Sequence, residues 1–163
     1  MLQVADILGE SVVDGKGLRT VVFLQGCPHG CTGCHNPKLW PSKGGKDYTS
    51  GALAAAIIAK MSPIHRGVTF SGGDPLAQAE ELLQVIKSLR KIKPELNVWV
   101  YTGYIFEEIK DYPVLQEINV LVDGPFILAK RDISLPFRGS GNQRIIDLPK
   151  TFAQGGLIQE LSL

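Results

Sequence analysis

Four near-continuous apolar runs each end in a glycine-bearing polar motif. LRTVVFLQ (18–25) runs into GCPHGC, GVTFSGG (67–73) into Asp74-Pro75, NVWVYTG (97–103) into Tyr104, and INVLVDG (118–124) into Pro125-Phe126. β-Branched and aromatic residues without a two-residue alternation are the pattern of strands covered on both faces. Helical spacing separates them. Thr49 or Ser50 caps a stretch through Lys60 with Leu53 and Ile57 apolar, residues 76–93 place Leu82, Val85, Ile86 and Leu89 at helical intervals, and a weaker helix surrounds Ile105–Tyr112. RIIDL (144–148) is a candidate fifth strand, beyond the glycine-rich turn FRGSGNQR (137–144). Strands alternating with helices predict an α/β fold with a mainly parallel sheet of about five or six strands, which gathers ligands at the carboxyl ends of its strands. A complete eight-unit barrel takes about 250 residues. The 163 residues here form one domain, 1–163, and at most an incomplete (β/α) barrel.

The segment 26–48 breaks the alternation. It is rich in Gly, Pro, Ser, His and Lys, has almost no periodicity, and holds all three cysteines of the chain, Cys27, Cys31 and Cys34. Loops of that length in a compact domain tend to be functional. Three buried small residues have no reason to share such a loop. A thiol-disulfide pair would use Cys31 and Cys34, with the two-residue spacing of a redox motif, and would leave Cys27 unexplained. Zinc would need a fourth ligand, His29 or His35. A four-iron cluster that only carries electrons needs one thiolate per iron, so three thiolates leave one iron open to a substrate or cofactor.

The remaining composition narrows the class. A net charge of +1 lacks the strong positive field of a general nucleic-acid binder, and Lys87, Arg90, Lys91 and Lys93 make only a local basic run. No run of apolar residues is long enough to cross a membrane, and the amino terminus lacks a basic region followed by an apolar one. An odd cysteine number does not suit a secreted disulfide scaffold. The expectation is a cytoplasmic protein without direct nucleic-acid or membrane contacts.

The cysteine spacing resembles that of the radical S-adenosylmethionine superfamily. Within it, DGKGLRTVVFLQGCPHGCTGCHNPKLW (14–40), TFSGGDPL (69–76), VDGPF (122–126) and FRGSGNQRIID (137–147) are most similar to the activating proteins of anaerobic ribonucleoside-triphosphate reductases. The resemblance implies one 4Fe-4S cluster on Cys27, Cys31 and Cys34, with its open iron chelated by S-adenosylmethionine. It implies reductive cleavage to methionine and a 5'-deoxyadenosyl radical, which takes a hydrogen atom from a glycine of the reductase large subunit. It also implies an electron donor such as flavodoxin or ferredoxin, and leaves a homodimer open.

Carried over residue by residue, Ser71, Gly72, Gly73 and Asp74 match the motif that holds the methionine amino group, although many superfamily members carry Glu where Asp74 stands. A turn with Asp74 capping the next helix is the alternative. Thr102 closes the third strand within reach of the ribose. His35 and Asn36 stand where relatives place an aromatic residue beside the adenine. Asp123 matches an acid that holds a monovalent cation in related activases, or is a plain turn residue. Arg19, in the family's DGxGxR pattern with Lys16 where proline is frequent, has a structural or a functional use. Arg138, Asn142, Gln143 and Arg144 face either the cofactor or the partner, and His29 has no assigned role. The rival readings are a small radical enzyme acting on a free small molecule and a zinc-stabilised interaction module.

Overall fold

The computed structural model of the chain describes residues 1–163. Its strands are β1 (Leu2–Ser11), β2 (Arg19–Leu24), β3 (Lys46–Tyr48), β4 (Gly67–Gly72), β5 (Asn97–Tyr101), β6 (Val120–Asp123) and β7 (Arg144–Asp147). They form one sheet in the order β3-β1-β2-β4-β5-β6-β7. The five expected strands are all present, and β1 and β3 bring the number to seven. The expectation of a mainly parallel sheet needs correcting as well. Parallel pairing is confined to β2, β4, β5 and β6, whereas β1, β3 and β7 join antiparallel. β1 escapes a period-two reading because its register against β2 shifts between Val4 and Asp6 and again between Leu8 and Ser11. Each shift disturbs the alternation of faces.

The helices are α1 (Ser50–Lys60), α2 (Ala79–Ile92), α3 (Phe106–Ile109) and α4 (Leu148–Ala153). Leu53 and Ile57 of α1 and Leu82, Val85, Ile86 and Leu89 of α2 join Leu24, Val68, Phe70, Val98, Val100 and Leu121 of the sheet in one buried cluster. The start of α1 is set by Thr49, whose Oγ1 accepts a hydrogen bond from the Ala52 amide at 3.1 Å. Thr49→Ala is expected to cost about 1 kcal/mol, read as a lower urea midpoint with an unchanged slope. α4 begins at Asp147, whose side chain accepts from Lys150 N at 3.0 Å.

The opposite face of the sheet carries a smaller cluster of Trp99, Val120, Val122 and Ile145, with Tyr101 and Phe137 against it. Arg19 is buried on this side of the molecule. Its guanidinium donates to Thr69 Oγ1 (2.8 Å), the Lys16 carbonyl (2.9 Å), the Val68 carbonyl (3.0 Å) and the Asn97 carbonyl (2.8 Å), with Cζ 5.5 Å from the Trp99 ring centroid. These acceptors are uncharged, and burial pulls the Arg19 pKa down to about 10. One side chain thus ties β2, β4 and β5 to the turn at 14–17. Thr69 Oγ1 completes the tie by donating to the Asp14 carbonyl at 2.7 Å. Gly15 allows the approach, since a Cβ there would stand 2.9 Å from Arg19 Cδ and 3.0 Å from Trp99.

Candidate iron-sulfur and cofactor site

The carboxyl ends of the parallel strands open into a cavity of about 720 Å³. β2 delivers Gly26 and the cysteine loop to it, β4 delivers Ser71, Gly72 and Gly73, and β5 delivers Thr102 and Gly103. Cys27, Cys31 and Cys34 all line this cavity as free thiols, together with His35 and Asn36. A turn closes from Cys34 N to the Cys31 carbonyl (3.2 Å), and Asn36 N donates to Cys34 Sγ at 3.4 Å. Burial pushes the Cys27 thiol up, partly offset by a hydrogen bond from the His29 backbone. The His35 ring lies 5.5 Å from that of Phe126, which also lines the cavity.

The two glycines after β4 answer to the neighbouring strand end. Gly72 has φ of +101°, and a Cβ on it would meet the Leu24 nitrogen at 2.5 Å; a Cβ on Gly73 would meet the Gly26 carbonyl oxygen at 2.3 Å. Their backbones are stitched there by Gly73 N to the Leu24 carbonyl (2.8 Å) and Asp74 N to the Gly26 carbonyl (2.7 Å). Close approach of this kind is what glycine permits. It presses the SGGD segment against the first residue of the cysteine loop while leaving its backbone on the cavity wall.

Asp74 is placed differently from Ser71, Gly72 and Gly73. It is 1% exposed and stands behind the cavity wall. Oδ1 accepts from Leu76 N (2.9 Å), Thr102 Oγ1 donates to Oδ1 at 3.0 Å and to Oδ2 at 2.9 Å, Gly103 N donates to Oδ2 at 2.9 Å, and His29 Nε2 completes the set. The bond to Asp74 raises the His29 pKa, against the pull of burial. The Thr102 hydroxyl, committed to Asp74, also accepts from Tyr104 N at 3.1 Å.

Asp123 does not line the cavity. Its Oδ2 accepts from Phe106 N (2.8 Å) and from Arg144 (2.5 Å), and Arg144 Nε reaches Oδ1 at 3.1 Å. Arg144 extends to Glu107 Oε1 at 2.6 Å, and its pKa is raised, chiefly by the bond to Asp123. The glycine-rich segment is self-braced. Gln143 Oε1 accepts from Gly139 N at 2.9 Å and its Nε2 donates to the Gly124 carbonyl at 3.0 Å, while Asn142 Nδ2 donates to the Pro125 carbonyl at 2.8 Å. Arg138 lines the cavity with a buried Nε that has no partner. Sequence reasoning did not select Val12, Val13 or Ile133, exposed apolar residues at the cavity wall. Their only signal was apolar character inside polar loops.

The donor set fits an iron-sulfur cluster better than a single zinc ion. No three His, Cys, Asp or Glu side chains converge at the spacing one metal ion requires, and His29, a candidate fourth zinc ligand, is held by Asp74. Three free cysteines line the same cavity, and a cluster takes one thiolate per iron.

A family model described as a 4Fe-4S single cluster domain matches residues 13–146, a span that contains the cysteine loop and the carboxyl ends of β2, β4, β5 and β6. The anaerobic ribonucleoside-triphosphate reductase-activating protein of Vibrio cholerae is 38% identical over 141 residues, covering 82% of this chain and 90% of its own. The protein of that name from Escherichia coli K12 is 37% identical over 139 residues, covering 81% and 90%. That of Enterobacteria phage T4 is 34% identical over 139 residues, covering 82% and 86%. Among solved structures, QueE from Escherichia coli superposes on 63% of this chain and 52% of its own, with a TM-score of 0.47 and 22% identity. With a 4Fe-4S domain matched across the site and relatives at this identity covered nearly end to end, the chain belongs to the family of anaerobic ribonucleoside-triphosphate reductase-activating proteins.

Proposed function

We propose that this chain activates an anaerobic ribonucleoside-triphosphate reductase by holding a 4Fe-4S cluster on Cys27, Cys31 and Cys34 and S-adenosylmethionine on the cluster's open iron. The observation that supports this reading is that three thiols, without a fourth, share a cavity with the glycine-rich ends of β4 and β5. Once bound, the two groups supply one-electron cleavage of the sulfonium to methionine and a 5'-deoxyadenosyl radical, which takes a hydrogen atom from a reductase glycine and leaves a glycyl radical there.

The chain's own residues bind and enclose. The backbone of Ser71, Gly72 and Gly73 would hold the amino group, with Asp74 acting through the strand ends it ties together. His35 and Asn36, beside Phe126, would take the adenine. The sheet serves as an incomplete barrel whose open side the partner closes, since a radical must be kept from solvent and held against its target. A flavodoxin or ferredoxin would supply the electron, in the cytoplasm.

The test is anaerobic incubation of the reconstituted protein with a reductant, S-adenosylmethionine and reductase deuterated at its carboxyl-terminal glycine. A glycyl radical and deuterium in the 5'-deoxyadenosine are the expected results. Rapid turnover on a free small molecule with no deuterium transfer would overturn the activase reading in favour of a small-molecule enzyme.

A further inference from the structure

His29 joins three strand-end motifs. It stands between Cys27 and Cys31 in the cysteine loop. Its Nε2 is bonded to Asp74 Oδ2, at the end of the SGGD segment. Its ring lies edge-on to Tyr104, with centroids 4.5 Å apart. The third motif, YTGY, is shaped around it: a Cβ on Gly103 would come within 2.5 Å of His29 Cδ2 and 2.8 Å of Nε2. Glycine at 103 therefore leaves a slot, and the imidazole of His29 fills it.

Asp74 is fully used at the other end of this contact. A carboxylate offers about four lone-pair sites, and Leu76 N, Thr102 Oγ1, Gly103 N and His29 Nε2 are four donors directed at it. No acceptor site remains for a cofactor ammonium. The chemistry left to Asp74 is to orient what donates to it, and only His29 among those donors belongs to the cysteine loop.

We infer that His29 is a positioning residue, docking the cysteine loop onto the ends of β4 and β5 through Asp74 and the Gly103 slot. This rests on the reading of that loop as the cluster carrier. By fixing residue 29, the lock sets the first two thiols against the glycine backbone of β4, and so sets where cluster and cofactor meet. Partners that orient metal ligands from outside the coordination sphere act in this way.

The reduced, iron-free protein gives the first readout, the alkylation rate of each cysteine by iodoacetamide, mapped by mass spectrometry. His29→Ala and Gly103→Ala should both release the loop and alkylate Cys27 and Cys31 several-fold faster than the parent. The contrast of His29→Gln with His29→Asn separates docking from bulk polarity. A glutamine amide reaches the position of Nε2 and should restore much of the protection, whereas asparagine stops at the position of Nδ1 and should not. The same variants, reconstituted, should lose iron to a chelator about 10–100-fold faster and shift the cluster midpoint potential, again with partial rescue by glutamine. If His29→Ala fails to fold, the asparagine–glutamine pair carries the comparison among variants with parental thermal midpoints. Parental alkylation rates, iron loss and potential in the asparagine variant would overturn the inference. A parent protein that takes up no iron would instead defeat the cluster reading, and the alkylation rates would still decide whether His29 docks the loop.

Discussion

Changing Cys27, Cys31 or Cys34 to alanine is expected to remove the cluster entirely. The parent, reconstituted without oxygen, should hold about four irons and four sulfides with one thiolate on each of three irons. The chain has no other cysteine to substitute. His29 cannot stand in without leaving Asp74, and His35 lies eight positions beyond residue 27 with its ring against Phe126. Loss should therefore be total for all three variants, read as iron and sulfide per chain, visible absorbance and 5'-deoxyadenosine formed under reductant. Circular dichroism of the iron-free variants should match the parent, because the thiols lie on the cavity wall and outside both buried clusters. Stoichiometric zinc without iron in the parent, after growth with ample iron, would overturn the assignment.

Arg19→Met is expected to have the largest effect on stability of any substitution outside the helix-facing core. The methionine fills much of the same space but donates nothing to Thr69, Lys16, Val68 and Asn97. Buried acceptors left without partners cost about 1–3 kcal/mol each. The bonds to Thr69 and to the Val68 carbonyl are buried and those to Lys16 and Asn97 part-buried, so a total loss of roughly 3 kcal/mol is expected. Arg19→Lys should recover little, since one ammonium cannot reproduce a planar fork that reaches two strands and a turn together. Urea denaturation of the iron-free protein measures both variants. A change below about 1 kcal/mol for Arg19→Met, within the range of ordinary surface substitutions and small polar losses, would show that the guanidinium is not a clamp. The cavity wall at Val12, Val13 and Asp14 leads into the turn that Arg19 holds, so the variant should also weaken binding at the site.

The parts of this fold that were legible in the sequence are those whose signals are local. Val21, Val22, Val68, Phe70, Val98 and Val100 are buried strand residues inside apolar runs, and Leu82, Val85, Ile86 and Leu89 keep helical spacing along α2. β1 was hidden by its own irregularity, because Leu2 and Val4 are buried while Leu8, on the same alternation, is exposed after the register shift. β3 is three residues whose strand character comes from pairing with Leu2, Gln3 and Val4. α4 did leave a signal, Asp147 followed by Leu148-Pro149, which reads as a capped helix start with an early proline.

At the site, the cysteines announce themselves by spacing and the glycines by their place after apolar runs. The partners of charged side chains do not. His29 meets a residue 45 positions away, and Asp123 is joined to Arg144 across 21. Nothing near either residue in the chain indicates that contact. Gly103 is the sharpest case: read along the chain it belongs to a turn, and only the sheet order reveals that its missing side chain is the room occupied by an imidazole from another loop.

The lock around His29 also imposes an order of assembly. The cysteine loop leaves the ribosome ahead of Asp74 by about 40 residues and ahead of Gly103 by about 70, and chains are made amino terminus first at roughly 5–20 residues per second. Until β4 and β5 have been synthesised and paired beside β2, the imidazole has neither its carboxylate nor its slot. Through that interval the loop lacks the contacts that His29 makes in the folded chain. Long-range parallel pairing is a late and slow event in folding. If His29 docks the loop as proposed, an organised binding loop exists only in the finished sheet, and iron loading would follow completion of β4 and β5 rather than accompany synthesis of the cysteines.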